Sequence, residues 1–200
     1  MSVGVRDIQS FGRVLFQNRS WTPVPLALWM VRHARPRPVG VIVGLILTGV
    51  GLAIRLWSVA HIGAASRTRR PDAPAVRVTN GPYRYLHHPI YVGNGILSEG
   101  LVIANGAGFP WLPMFFPILW LIQYGPMMLW ESALLRTTPS TDDLSHAEKP
   151  LPTADWPAAL RSEVRTYQAV AAFLGATLVL GLRRGTLQRR KRHARLPLGG

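Results

Sequence analysis

Two long apolar runs constrain the fold of this chain more than anything else in its sequence. Val39 to Ala60 carries a single charge, Arg55, and Trp111 to Trp130 carries none. Crossing ~30 Å of hydrocarbon takes ~20 mostly apolar residues, and both runs reach that length. Tyr167 to Leu182 is charge-free but shorter, and Pro89 to Ile103 holds one acid, Glu99. Together these segments predict an all-α, polytopic membrane helix bundle with four or five transmembrane helices, residues 1–182 forming one integral membrane domain. Gly40 and Gly44, with Gly49 and Gly51, offer a neighbouring helix a close approach. Trp21 to Val31 is apolar but well short of a span.

Composition alone does not give that answer. A mean hydropathy of +0.15 and 48% hydrophobic residues would suit a soluble domain; the bunching of the apolar residues decides against one. The chain has no cysteine, which excludes disulfides and thiolate chemistry. Met1 to Ser20 lacks an apolar core, so no cleavable signal peptide is expected, and Phe11 to Arg19 reads as a surface-lying stretch. The net charge of +14 is mostly arginine. Arg183, Arg184, Arg189, Arg190, Lys191, Arg192 and Arg195 form a basic tail over 183–200, expected to be disordered. Beside membrane helices such charge faces anionic lipid headgroups, so the lipid bilayer is the expected partner and nucleic acid is not. Ala64 to Thr79 and Thr137 to Trp156 read as extramembrane segments. If both are cytoplasmic, a spanning last helix leaves the basic tail outside, against the usual charge bias.

The chemistry-bearing stretch is Gly81-Pro82-Tyr83-Arg84-Tyr85-Leu86-His87-His88-Pro89-Ile90-Tyr91-Val92-Gly93-Asn94. Its prolines and glycines make a rigid turn into a helix start, and lipid normally excludes the polar groups it carries. Glu131 follows an apolar helix and belongs at the same interface. The result is a polar constellation of Tyr83, Arg84, His88, Tyr91, Asn94, Glu99 and Glu131 at one membrane face. Its carboxylate suits ribose hydroxyls or an ammonium, and the helix-start amides suit a carboxylate. No P-loop, HExxH or complete G-x-G-x-x-G is present, and the adjacent His87 and His88 point apart, so no metal site is expected. Plainer roles stand beside these: a backbone-bonded His88, interfacial Tyr85, a snorkelling Glu131.

The same turn, with Glu131 one helix later, resembles the isoprenylcysteine carboxyl methyltransferase and phospholipid methyltransferase superfamily, whose turn runs roughly G-x-Y-x-x-x-R-H-P-x-Y-x-G. Phe11-Gly12-Arg13 and Leu160-Arg161-Ser162-Glu163 are similar to flanking features of bacterial members. The resemblance implies an S-adenosyl-L-methionine-dependent methyltransferase in a bacterial inner membrane, its cofactor pocket facing the cytoplasm. It implies cofactor contacts from Tyr83, His88, Pro89, Ile90, Tyr91, Asn94 and Glu131, with Glu131 closest to catalysis. A lipophilic acceptor, carboxylate- or amine-bearing, would enter from the lipid. Three positions depart from the pattern: His87 stands for an arginine, Ser132 for a second glutamate, and Met127 for the acceptor-binding arginine of the isoprenylcysteine enzymes. Those departures leave two alternatives, a non-catalytic protein on the same scaffold and a nicotinamide-dependent membrane reductase.

Overall fold

Proline at a first helical position and glycine just past the last one set three of the helix boundaries. Pro38 opens one helix and Pro89 another. Gly106, at φ 68°, closes the latter by donating its amide to the Val102 carbonyl at 3.1 Å. The structure is a computed structural model and describes residues 3–62, 78–136 and 154–193. Among these residues the order is α1 (Val3–Asn18), α2 (Val24–Arg32), α3 (Pro38–Ile62), a 3₁₀ turn (Gly81–Arg84), α4 (Pro89–Asn105), α5 (Trp111–Leu135) and α6 (Trp156–His193). The connector arginines Arg67, Arg69, Arg70 and Arg77 and the loop 137–153 lie outside the described residues.

Among the described residues, three helical stretches are long and apolar enough to cross a bilayer: Pro38–Ile62 and Trp111–Leu135, 25 residues each, and Trp156–Gly181, 26 residues. The expected all-α bundle is therefore present. At 17 residues α4 covers ~25 Å, just short of a full crossing. The nine-residue α2 is far too short to span. The last helix is longer than Tyr167 to Leu182 suggests, and its backbone stays helical to His193, where a disordered tail was expected; residues 194–200 lie outside the described residues. Only 6% of the α5 apolar window is buried within the bundle, and Ile118, Leu121 and Ile122 point outward with Ile42 and Ile46 of α3. An apolar surface of that extent is tolerated only against lipid or a partner.

Helix α4 is the hub, packed on α3, α5 and α6. The expected glycine seam exists at Gly44 and Gly51 but not at Gly49, which has nothing within 4 Å. Across it sit Gly93 and Gly100 of α4, and a Cβ on Gly100 would lie 2.6 Å from the Gly44 oxygen and the Thr48 amide. Hydrocarbon gives helices no hydrophobic reason to associate, so this close backbone contact supplies the attraction. At one end, the Arg35 amide donates to the Asn105 carbonyl (2.9 Å), and buried Asn105 donates to Thr177 of α6 (2.8 Å). At the other end, the Asp155 amide donates to Ala60 (3.0 Å), tying the start of α6 to the close of α3. The end of α3, the 3₁₀ turn, and the starts of α4 and α6 thus share one end of the bundle with the close of α5. Outside this frame α1 lies on α5, with Gly12 against the Pro126 carbonyl and Phe16 5.1 Å from the Trp130 ring.

Candidate active site

The 3₁₀ turn delivers His88 to the mouth of α4. Both the Tyr91 and Val92 amides turn back to the His88 carbonyl at 3.1 Å, and Pro89 has no amide. Ile90 therefore carries the remaining first-turn N–H, so the anion-binding capacity expected of this helix start narrows to that one group. The His88 ring reaches across to the last turns of α5. Its Nε2 lies 2.8 Å from the Ser132 hydroxyl and its Nδ1 3.4 Å from a Glu131 oxygen. A proton on Nδ1 satisfies both contacts, with the ring donating to Glu131 and accepting from Ser132. Tyr91 stacks on His88 at 5.6 Å and donates its hydroxyl to Glu131. The rings continue inward through Tyr124 (5.4 Å) to Trp120 (5.4 Å). Glu131 keeps 28% of its side chain exposed, leaving it accessible to a ligand from the open end.

A second polar group lies beside it. Arg55, the lone charge of its apolar run, grips Glu163 of α6 in a bidentate pair, with Nε to Oε2 at 3.1 Å and Nη2 to Oε1 at 2.9 Å. Its remaining arm, Nη1, donates to the Asn94 side-chain oxygen. Side-chain exposure is 12% for Arg55 and 1% for Glu163. Removing one member of such a buried pair strands the other charge, at a cost of about 3–5 kcal/mol.

Tyr83 presents a buried hydroxyl with no hydrogen-bond partner among the described residues. Burial raises its pKa above the ordinary phenol range; the Glu131 charge adds to that and the Arg55 charge opposes it. The hydroxyl is thus neutral and within the field of both charged groups. From the other side, Arg19 stacks over Phe16 at 4.0 Å, and its charge reaches Tyr91 and Tyr124.

A family model described as phospholipid methyltransferase matches residues 39–137, from the start of α3 to just past α5. Through this segment the chain belongs to the phospholipid methyltransferase family. With its three apolar spans, it is an integral membrane protein of the methyltransferase kind. No curated protein and no solved structure matches the chain. The matched segment holds His88, Glu131 and Ser132 but not Glu163.

Of the residues expected at the site of this methyltransferase-family protein, the fold brings His88, Tyr91 and Glu131 into contact and sets Tyr83 beside them. Pro89 is buried, and Ile90 packs toward Val59, Ala60 and Ala159 on the α3–α6 side, so what Ile90 offers the site is its backbone. The Asn94 oxygen is engaged by Arg55. Glu99 lies eleven residues beyond His88, ~16 Å along the helix, and stands apart from the cluster. Arg84 and His87 are exposed. Sequence reading missed Ser132 as a His88 partner, Tyr124, Arg19 and the Arg55–Glu163 pair. Only the last had a usable signal: a lone arginine inside a span demands an opposite charge, and Glu163 lies in the turns that open the last apolar helix.

Proposed function

We propose that the chain is an S-adenosyl-L-methionine-dependent methyltransferase whose acceptor is a lipid. The carrying observation is the junction of His88, Glu131 and Ser132 at one open end of the bundle, with the buried, partnerless Tyr83 hydroxyl alongside. These groups fit a ligand that combines hydroxyls, an ammonium and a carboxylate. Glu131 accepts from ribose hydroxyls or an ammonium, the Ile90 amide donates to a carboxylate, and Tyr83 supplies one further hydrogen bond. When bound, S-adenosyl-L-methionine supplies a methyl group on a sulfonium, ready for displacement by a nucleophile. The protein's share is then alignment, which is most of what such a displacement requires. His88 and Tyr91 hold Glu131 in place, and the carboxylate can take the proton that an amine acceptor gives up.

Met127 is fully buried at 0% exposure, so the position where isoprenylcysteine enzymes carry an arginine offers no cation to an acceptor carboxylate. An amine-bearing lipid is accordingly the better of the two acceptor classes, in line with the family match. A permanently charged sulfonium nucleoside does not cross a bilayer unaided, which supports a site on the cytoplasmic side. Calorimetry with S-adenosylhomocysteine on folded, detergent-purified protein tests the reading. His88→Ala and Glu131→Ala are each expected to weaken binding at least several-fold. No binding to the wild-type protein refutes the cofactor, and unchanged affinity in both variants refutes the placement.

A further inference from the structure

We propose that Arg55, Glu163 and Asn94 form a positioning clasp that fixes the rotation of α4 and thereby holds His88 and Tyr91 against Ser132 and Glu131. The inference builds on the reading of that end as the cofactor site. It assigns Asn94 to the clasp and not to ligand contact, and it gives α6, outside the family-matched segment, a part in shaping the site.

The geometry is specific. A guanidinium is planar and its donors leave in fixed directions, so the bidentate grip on Glu163 dictates where the third arm points. That arm meets the Asn94 oxygen. Arg55 also touches the α4 backbone, because a Cβ on Gly93 would lie 2.9 Å from the Arg55 Cγ. Stem and head of one side chain therefore hold two consecutive residues of α4. Both charges lie largely away from water, at membrane depth. Tyr91 is three residues before Asn94, ~60° round the helix, and His88 one turn earlier still. A rotation that releases Asn94 swings Tyr91 off Glu131 and His88 off Ser132. The glycine seam sets how closely α4 approaches α3, and the clasp adds the directional polar contact that locks the helix in this rotation.

The test uses the full chain in detergent with three readouts. These are S-adenosylhomocysteine affinity by calorimetry, the thermal unfolding midpoint, and the fluorine NMR signal of 3-fluorotyrosine at Tyr91, one of five tyrosines, assigned with Tyr91→Phe. Arg55→Met and Asn94→Ala are each expected to weaken binding about tenfold and to shift the Tyr91 signal, and their combination to be no worse than the stronger single change. The swap Arg55→Glu with Glu163→Arg, made together with Asn94→Leu so that no side-chain amide can turn its NH2 to the new carboxylate, rebuilds the α3–α6 ion pair but leaves α4 without its polar arm. It should recover the unfolding midpoint while affinity and the Tyr91 signal stay perturbed. Additive losses in the Arg55 and Asn94 pair would show that Asn94 meets the ligand on its own and overturn the clasp. So would a swap that restores affinity together with stability, which makes the pair a brace alone. If the wild-type chain binds no S-adenosylhomocysteine, the proposed function fails while the Tyr91 signal still decides the clasp: a resonance unmoved by Asn94→Ala refutes it.

Discussion

Replacing Ser132 with alanine is the sharpest probe of the site, because a single hydroxyl there joins α5 to the His88 ring. The change deletes one oxygen and leaves His88 Nε2, now 2.8 Å from that oxygen, without its donor. A typical intramolecular hydrogen bond contributes about 0.5–1.5 kcal/mol net, and a buried acceptor left unsatisfied costs about 1–3 kcal/mol. With the His88 side chain 13% exposed, so that water can partly replace the lost donor, the cost lies in the lower half of the upper range, about 1.5 kcal/mol. If the His88 ring must be held for ligand to bind, that energy appears as about a tenfold loss of S-adenosylhomocysteine affinity. Calorimetry on detergent-purified protein measures it, with Ser132→Thr as the control that keeps the hydroxyl. Full affinity in the alanine variant, with a normal unfolding midpoint, would refute the idea that Ser132 orients His88 for binding.

Further expectations follow from other parts of the fold. Tyr83→Phe removes a buried hydroxyl with no partner among the described residues, so apo stability should hold or rise while cofactor affinity falls; equal affinity rules out a ligand contact by that group. The raised pKa of Tyr83 means that above about pH 10 the unfolded chain ionises this phenol while the folded chain keeps it neutral. Stability should therefore be intact below that pH and fall as pH rises past it, more steeply in the wild type than in Tyr83→Phe. Gly100→Ala forces a methyl into the α3–α4 contact and should destabilise by about 1–3 kcal/mol in denaturant titration; an unchanged midpoint refutes the tight seam. Asn105→Ala strips the donor from Thr177 and the acceptor from the Ala107 amide, so the unfolding midpoint should drop, by about 2–3 kcal/mol in stability.

Much of this architecture is legible without coordinates, for local reasons. Hydropathy over ~20 residues identifies the α3 and α5 spans because lipid solvation acts on each segment separately. Pro89 and Gly106 mark the two ends of α4 because backbone dihedrals are set residue by residue. The last helix was less legible. Its apolar window begins among charges, and Glu163 inside it is buried in an ion pair with Arg55. Within the site, the turn itself announced His88 and Tyr91. Ser132 did not stand out, because a serine beside a glutamate has no distinguishing signal until an imidazole is seen to reach it.

The sequence by itself determined that the chain is a bundle of membrane helices and that one proline-rich turn carries the polar groups, since both follow from short-range composition and spacing. Tertiary structure decided which of those groups meet. His88 and Ser132 are 44 residues apart, Arg55 and Glu163 are 108, and Arg55 and Asn94 are 39. Their contacts depend on the rotation and depth of each helix against its neighbours, fixed here by the glycine seam and the buried ion pair. That same geometry leaves Glu99 outside the cluster to which its sequence had assigned it.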